Sequence, residues 1–412
     1  MRSAFSAARR FSQFAASILL LAASSLWFVR AAIEVGGLSE WASIAVGQTV
    51  GAIAAVLIGY GWNIVGPVRV AAAHSEEERQ REYVDALVTR AVLVIVASVV
   101  VALIVIALPA VDPVLAMLGA LPVMMVALSA SFYFVGIAQP ARLFLLETLP
   151  RVGMTSAAAL LMSIGLVDLR AGLILQFAGS VLAVSASMLF ILKVAGVRKV
   201  GESVRARRIV GLLRRQSGGL TSSLLVTAIS NAPILIVSVT APTVLGPFSV
   251  VDKLSKQVLA GSSPVTSVLQ GWVPRGAPKD LRARARTAVL LAWIAGTMAA
   301  LAMAVASPLL VHWVSAGEIP PAWTTFALMG AFVGLFLTQN AVSFACLAAQ
   351  GQLRVANVSL AICSPLGLVL VAFLSTLLGT DGALIGVCAG MGMACVWQTV
   401  AVLRWKRNET ST

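Results

Sequence analysis

The chain has 412 residues, of which 59% are hydrophobic and 11% are charged, and its mean hydropathy is +0.96. This composition excludes a soluble globular domain, because such domains carry about 25% charged residues. The formal net charge of +14 does not indicate nucleic-acid binding, since the basic residues lie in alternate gaps between apolar stretches, where they set membrane orientation.

Twelve apolar stretches are predicted to cross a bilayer. A hydrocarbon core about 30 Å thick requires roughly 20 apolar residues per helix. The predicted spans are residues 11–33, 40–62, 87–109, 113–137, 144–166, 171–194, 218–240, 245–273, 287–314, 322–348, 355–378 and 381–403. The sequence therefore predicts an all-α polytopic membrane protein of 12 transmembrane helices.

The first stretch has one alternative interpretation, a secretory signal peptide, because it combines a charged start with an apolar run. The run from Phe11 to Val29 is long for a signal core, has no clean small-x-small cleavage site, and ends at Arg30 just before another span. We interpret it as the first transmembrane helix.

Charge in the gaps predicts the orientation of the chain. The basic gaps contain Arg2, Arg9 and Arg10; Arg69, Arg79 and Arg81; Arg142 and Arg151; the run from Lys193 to Arg215; Arg275, Lys279, Arg282, Arg284 and Arg286; Arg354; and Arg404, Lys406 and Arg407. The opposite gaps are short and mostly acidic: Glu34, Glu40, Asp112, Asp168, Glu318 and Asp381. Basic gaps face the cytoplasm, so we expect a multi-pass protein of the cell inner (plasma) membrane with both termini cytoplasmic.

Tryptophans at the predicted helix ends suggest interfacial belts. Trp41, Trp313 and Trp323 fall at outer ends, and Trp62, Trp272 and Trp405 fall at inner ends. Because indole rings favour the headgroup region, these positions agree with the orientation given by charge.

The longest basic connector, residues 193–215, has six predicted spans on each side. It predicts a hinge between an N-terminal lobe, residues 1–200, and a C-terminal lobe, residues 201–412. We expect two six-helix lobes around a central cavity.

Several classes of function lack their motifs. There is no GxxxxGK[ST] phosphate loop for ATP hydrolysis, and outer gaps of a few residues leave no room for a catalytic domain, so an enzyme is not expected. The four cysteines all fall inside predicted spans, which indicates neither disulfides nor a zinc site. No cofactor is predicted, although a coupling ion, H+ or Na+, would suit a transporter.

Ionisable residues inside a span are costly and therefore functional candidates. The eighth predicted span contains Asp252, Lys253 and Lys256. Asp252 and Lys256 lie four residues apart on one helical face, where they can pair. Two interpretations remain open: the charges line a cavity, or the helix begins later and the lysines snorkel to the interface.

Other polar residues are weaker candidates. Arg30 lies four residues before Glu34, so a salt bridge at the interface is as plausible as a cavity position. Uncharged hydrogen-bonding side chains occur in several spans: Gln48, Gln176, Asn231, Gln270, Gln339 and Asn340. Each is more often a contact between helices than a ligand-binding group. Small-residue stripes, Gly47 with Gly51 and Gly382 with Gly386 and Gly390, predict close helix packing.

The segment YGWNIVGPVRVAAAHSEEERQREYVDALVTRAVL, residues 60–93, resembles the junction of helices two and three in bacterial polysaccharide flippases. These proteins belong to the multidrug, oligosaccharidyl-lipid and polysaccharide exporter superfamily. Residues 26–37, including Arg30, resemble the end of the family's first helix. Residues 210–274 resemble its seventh and eighth helices, with Gly246, Phe248 and Lys253 on motif positions and Pro274 closing the segment. Trp62 and Asp252 depart from the family pattern, and the second departure bears on ion coupling.

The resemblance implies a V of two lobes that moves undecaprenyl-diphosphate-linked sugar units to the outer leaflet by alternating access. On this hypothesis Arg30, Lys253 and Lys256 hold the diphosphate, Asn231, Gln339 and Asn340 lie near the sugar, and Asp252 binds a proton or Na+. The partners are then the lipid-linked glycan, the bilayer, and polysaccharide polymerase and assembly proteins. Three alternatives stay open: a related multidrug or peptidoglycan-precursor exporter, a major-facilitator-like small-solute transporter, and a membrane scaffold without transport activity.

Overall fold

The structure is a computed structural model of the chain. It describes residues 2–108, 110–195, 224, 227–261, 263–275 and 280–405. Within these ranges the chain is helical, with short turns and no strand, which confirms the predicted all-α class.

The helices are numbered here in chain order. They are α1 (Arg2–Gly59), α2 (Trp62–Ala72), α3 (Glu76–Ala107), α4 (Pro113–Val126), α5 (Ser131–Gly136), α6 (Pro140–Leu143), α7 (Leu149–Ser163), α8 (Leu169–Ala195), α9 (Thr227–Thr240), α10 (Leu245–Gly261), α11 (Ser263–Trp272), α12 (Leu281–Val314), α13 (Trp323–Ala341) and α14 (Leu353–Arg404). One π-helix, Phe144–Thr148, joins α6 to α7, and another, Val342–Leu347, extends α13.

The first and last helices each contain two membrane spans. The apolar part of α1 has 44 residues and α14 has 52, about twice what a bilayer requires. Each is interrupted at one glycine with positive φ, Gly37 (φ 72°, ψ 176°) and Gly379 (φ 62°, ψ −135°). Glycine adopts such angles without the steric penalty of a Cβ, so the chain changes direction there without a loop.

Twelve helical segments of the described chain therefore correspond to the twelve predicted spans. The halves of α1 and of α14 supply four of them, and α3, α8, α12 and α13 supply one each. The remaining four are α4 with α5, α6 with α7, the shorter apolar α9, and α10 with α11. The predicted polytopic membrane architecture is confirmed.

The predicted glycine stripe in α14 packs the two halves of that helix against each other. A Cβ added at Gly382 would lie 1.9 Å from the carbonyl oxygen of Leu374, and one at Gly386 would lie 2.5 Å from the backbone nitrogen of Val371. As the contact residue after Gly379 advances from Gly382 to Gly386, its partner before Gly379 moves back from Leu374 to Val371. The two halves of α14 therefore run antiparallel, as a helical hairpin. Close packing by small residues is confirmed here.

The stripe in α1 makes an equally close contact with α4. A Cβ added at Gly47 would lie 1.8 Å from Ala116 O, and one at Gly51 would lie 2.8 Å from Ala120 O. Four residues further along α1, the contact on α4 is also four residues further along, so the second half of α1 runs parallel to α4. Spans two and four are expected to be parallel in a chain whose successive spans alternate in direction.

The chain divides into two compact units, Met1–Ser238 and Val239–Thr412, with the division inside α9. The first has a buried aromatic cluster around Trp62, Tyr83 and Phe132, and the second has an aliphatic core that includes Val342 and Val402. The predicted lobe boundary at residues 200 and 201, most of the basic connector, Lys279, Lys406 and Arg407 all lie outside the described residues. The lobes 1–200 and 201–412 stay a prediction.

Surface exposure agrees with a membrane protein, with one correction. Apolar side chains project outward from α3 and α12, where Ile95 is 70% exposed and Val305 is 78% exposed. Trp323, also 75% exposed, suits a membrane interface. The interfacial expectation is wrong for the side chains of Trp41 and Trp62, which are both 0% exposed because they pack inside the helical bundle.

Candidate functional site

A break in the fourth span forms the first candidate site. Residues 127–130 separate α4 from α5, which leaves backbone groups without helical partners. Glu147, from the π-helix before α7, supplies the missing acceptors: Ala130 N–H donates to its Oε1 at 2.6 Å, and the Ser129 hydroxyl donates to its Oε2. In lipid an unsatisfied backbone group costs several kcal/mol, so Glu147 stabilises the break.

Two arginines belong to the same network, one through Glu147 and one through Ser129. Arg151 lies one turn after Glu147 and pairs with it at 3.2 Å between Nη2 and Oε2. Arg90, from α3, donates to Ser129 O at 3.0 Å and to the side-chain oxygen of Asn63 at 3.3 Å. Asn63, Arg90, Ser129, Glu147 and Arg151 are called the Arg90–Glu147 cluster below.

Arg90 and Glu147 are buried beside an aromatic ring, whereas Asn63, at the edge of the cluster, is exposed. Arg90 is 1% exposed and Glu147 is 2% exposed. The Arg90 guanidinium lies 4.8 Å from the centre of the Phe132 ring, a cation–π distance. Such a network ties α2, α3, span four and span five together, and a buried charged network of this kind is also a functional-site candidate in a membrane protein.

The sequence alone does not predict this cluster. Its charge pattern places Arg151 in a cytoplasmic gap, and neither Arg90 nor Glu147 is among the predicted site residues. An available signal was Arg90 inside the predicted span 87–109, because an ionisable residue there needs a partner. Its partners were not predictable, since Ser129 and Asn63 lie 39 and 27 residues away and Ser129 accepts through a backbone oxygen in the break of the fourth span.

The second candidate site lies on α10 in the second unit. The predicted pair is confirmed: Lys256 Nζ lies 2.7 Å from Asp252 Oδ2, with side chains 31% and 10% exposed respectively. Lys253, one residue after Asp252, is half-buried. This face of α10 carries two lysines and one aspartate, so its formal charge is positive.

A neutral hydrogen-bond chain lies elsewhere in the second unit. Gln339 donates to Ser343 Oγ at 3.0 Å, Ser343 donates to Gln398 Oε1 at 2.7 Å, and Gln398 donates to Ser359 Oγ at 2.8 Å. These four residues, the Gln398 chain, connect α13 and its π-helix to both halves of α14 and are all at most 5% exposed.

The other residues predicted for the site include Asn340, Arg30 and Asn231. Asn340 is half-buried beside Gln339. In the first unit, Arg30 pairs with Glu34 at 2.7 Å, and Asn231 donates to the backbone oxygen of Thr227 at 2.8 Å. The structure thus brings Asp252, Lys253 and Lys256 together on one helix. Arg30 and Asn231 make these contacts within their own helices instead.

No protein-family model matches this chain, and no curated protein matches it. Solved structures do. An inward-facing conformation of a multidrug resistance MATE family transporter of the MOP superfamily superposes with a TM-score of 0.65 at 14% identity, covering 94% of this chain and 93% of that one. The MATE transporter NorM-NG, in a complex that includes a monobody, gives 0.54 at 16% identity over 95% and 93%. The eukaryotic MATE transporter AtDTX14 gives 0.51 at 15% over 97% and 96%. The chain has the fold of these transporters.

Proposed function

We propose that this chain is a membrane exporter that works by alternating access. The observation that carries the proposal is the likeness to MATE transporters over 94% of the chain, with a TM-score of 0.65. That neighbour is an inward-facing conformation, and another neighbour is a MATE protein in a bent conformation, with a TM-score of 0.52. Transporters of this fold thus occur in more than one conformation, as alternating access requires.

The comparisons favour multidrug export as the activity. The neighbour with the TM-score of 0.65 is described as a multidrug resistance transporter. On this proposal the chain removes amphiphilic small molecules from the cell. This is the alternative that the sequence analysis left open beside polysaccharide export.

A second candidate cargo is a lipid-linked oligosaccharide, and the charge on α10 favours it. Lys253 and Lys256 outnumber Asp252 on that helix, and lysine ammonium groups are suitable donors to a diphosphate. A diphosphate sugar cannot cross hydrocarbon alone because its polar groups would lose water at a cost of several kcal/mol each. An inside-negative potential favours outward movement of the anion by about 2.3 kcal/mol per charge per 100 mV.

This second proposal includes the predicted partners, membrane location and coupling ion. The partners are an undecaprenyl-diphosphate-linked glycan and, beside it, polysaccharide polymerase and assembly proteins. The location is the inner (plasma) membrane with cytoplasmic termini. Asp252 is the proposed site for H+ or Na+, and because Lys256 is already 2.7 Å away, cation binding must compete with that ion pair.

One deletion strain tests both cargo classes. The chain is deleted and restored from a plasmid, and two properties are scored: the minimal inhibitory concentrations of amphiphilic drugs and dyes, and the amount of surface polysaccharide. Multidrug export predicts that deletion increases drug sensitivity with polysaccharide unchanged. Oligosaccharide export predicts the reverse, and no change in either property contradicts the export proposal for these cargo classes.

Substitutions on α10 then separate the cargoes. Under oligosaccharide export, Lys253→Gln and Lys256→Gln each reduce surface polysaccharide, because each removes one donor to the diphosphate. The matched control is Lys193→Gln, which removes an exposed lysine at the end of α8. Full polysaccharide from both α10 variants, at expression equal to the control, contradicts a diphosphate role for these lysines.

A further inference from the structure

Several hydrogen-bond donors of the first unit are buried without an acceptor among the described residues, and three of these belong to side chains that pack around one ring. They are the indole N–H of Trp62, the hydroxyl of Tyr83 and the Nε–H of Arg90. The three residues are 0%, 1% and 1% exposed. Buried polar groups nearly always have a partner, and each exception requires an explanation.

These donors surround one aromatic ring. The ring centres of Trp62 and Tyr83 lie 5.9 and 6.2 Å from that of Phe132, and the Arg90 guanidinium carbon lies 4.8 Å from it. Side chains that share one ring are close neighbours. Trp62, Tyr83, Arg90 and Phe132 are called the donor cluster below.

The donor cluster contains one buried charge, the guanidinium of Arg90, and α3 also buries Asp85. In the adjoining Arg90–Glu147 cluster, the carboxylate of Glu147 pairs with Arg151, and Arg90 makes no ion pair with a carboxylate of the described residues. A third guanidinium, that of Arg69, lies 5.5 Å from the Trp62 ring and has Glu82 at 3.6 Å as its counter-ion. Leaving a buried charge uncompensated is strongly destabilising.

The chemistry of the donors decides what kind of partner they need. An indole N–H and a guanidinium N–H donate and cannot accept. A buried water can accept from two of them but would bring two hydrogens that need acceptors of their own. An anion accepts from several donors, brings no hydrogens, and balances the guanidinium charge of Arg90.

We propose that the donor cluster binds a small monovalent anion of the chloride type. Near-complete burial of Trp62, Tyr83 and Arg90 favours a monatomic ion over a phosphate or a lipid headgroup. The bound anion holds α2 and α3 to Phe132 of α5, so it stabilises the first unit. This site is separate from the α10 lysines and does not depend on which cargo is exported.

The test is a thermal unfolding titration of the full-length protein in detergent micelles. Sodium chloride replaces sodium gluconate at constant ionic strength, and the unfolding temperature is measured at each chloride concentration. The proposal predicts a rise that saturates with chloride. An unfolding temperature that is equal in both salts, or that changes linearly without saturation as in a general salt effect, overturns it.

Conservative variants locate the ion. Tyr83→Phe removes only the unpartnered hydroxyl, and a lost hydrogen bond to an ion corresponds to about a tenfold or greater rise in the chloride concentration at half-saturation. Trp62→Phe removes the indole N–H and serves if Tyr83→Phe does not fold. The matched control is Tyr60→Phe, outside the donor cluster, which retains the wild-type midpoint. A wild-type midpoint in a folded Tyr83→Phe or Trp62→Phe protein overturns the assignment to this site.

Discussion

Each of the two units contains a buried polar network between its helices, and the two networks differ in chemistry. The Arg90–Glu147 cluster of the first unit is charged and stands beside a π-helix and a broken span. The Gln398 chain of the second unit also includes a π-helix but uses only amides and hydroxyls. The first therefore depends on charge balance, whereas the second depends on matched hydrogen bonds.

The two networks also differ in how many of their buried polar atoms lack a hydrogen-bond partner among the described residues. In the charged cluster the Nε–H groups of Arg90 and Arg151 are buried without a hydrogen-bond partner, whereas none of the four residues of the Gln398 chain has such an atom. A satisfied neutral chain acts as a contact between helices. A charged cluster with unused donors is the stronger candidate for a functional site.

The largest expected effect separates the two networks directly. Glu147→Ala removes the carboxylate that serves Arg151, Ser129 and Ala130 N–H. Breaking a buried pair in this way costs about 3–5 kcal/mol, so we expect little folded protein, measured as the monodisperse fraction in size-exclusion chromatography. Glu318→Ala, at an exposed turn, is the control. A normal yield of folded Glu147→Ala protein would show that the Arg90–Glu147 cluster does not stabilise the first unit.

A steric substitution tests whether packing, rather than hydrogen bonding, dominates the second unit. Gly386→Ala places a Cβ 2.5 Å from Val371 N, and overpacking of this kind costs about 1–3 kcal/mol. Gly153→Ala is the matched control in α7, where a Cβ meets nothing within 4 Å. We expect a lower unfolding temperature in detergent for the first variant and an unchanged or higher one for the second. Equal unfolding temperatures would show that the α14 hairpin is looser than its contacts indicate.

The Gln398 chain should contribute less than the Arg90–Glu147 cluster. Hydrogen bonds between membrane helices contribute about 0.6 kcal/mol on average and up to about 1.7. A double-mutant cycle with Gln398→Leu and Ser359→Ala, followed by unfolding in detergent, isolates the 2.8 Å bond between them. A coupling energy as large as the free energy of unfolding lost in Glu147→Ala would contradict the prediction that the charged network contributes more to stability than the neutral one.

The smallest effect is expected at the pair on α10. Asp252 is nearly buried, with its side chain 10% exposed, but the Lys256 side chain is 31% exposed, so loss of the carboxylate leaves a partly hydrated ammonium and not a buried unpaired charge. Asp252→Asn should therefore change the unfolding temperature little, while a role in ion coupling would appear as lost export. Unfolding as severe as that of Glu147→Ala would make the pair structural instead.

Much of the fold was predictable because the bilayer imposes it. Span length and gap charge predicted all twelve helical segments, and the Gly386 stripe predicted the tight contact within α14. The breaks at Gly37 and Gly379 were not separated from ordinary loops, because one positive-φ glycine leaves no pattern in composition. The Asp252–Lys256 pair followed from helical spacing. The contact of Arg90 with Ser129 did not, since it joins residues 39 apart.

Reactivity of one engineered thiol tests alternating access most directly. Lys256→Cys, with Cys346, Cys363, Cys388 and Cys395 replaced by alanine, is treated with a membrane-impermeant maleimide from the outer face in whole cells and from the cytoplasmic face in inverted vesicles. Glu318→Cys in the same background is the one-sided control, expected to react only from outside. An exporter that alternates its access predicts that Lys256→Cys reacts from both faces, with cargo shifting the two rates in opposite directions. Reaction from only one face, in protein that labels fully after solubilisation, would contradict alternating access at this site.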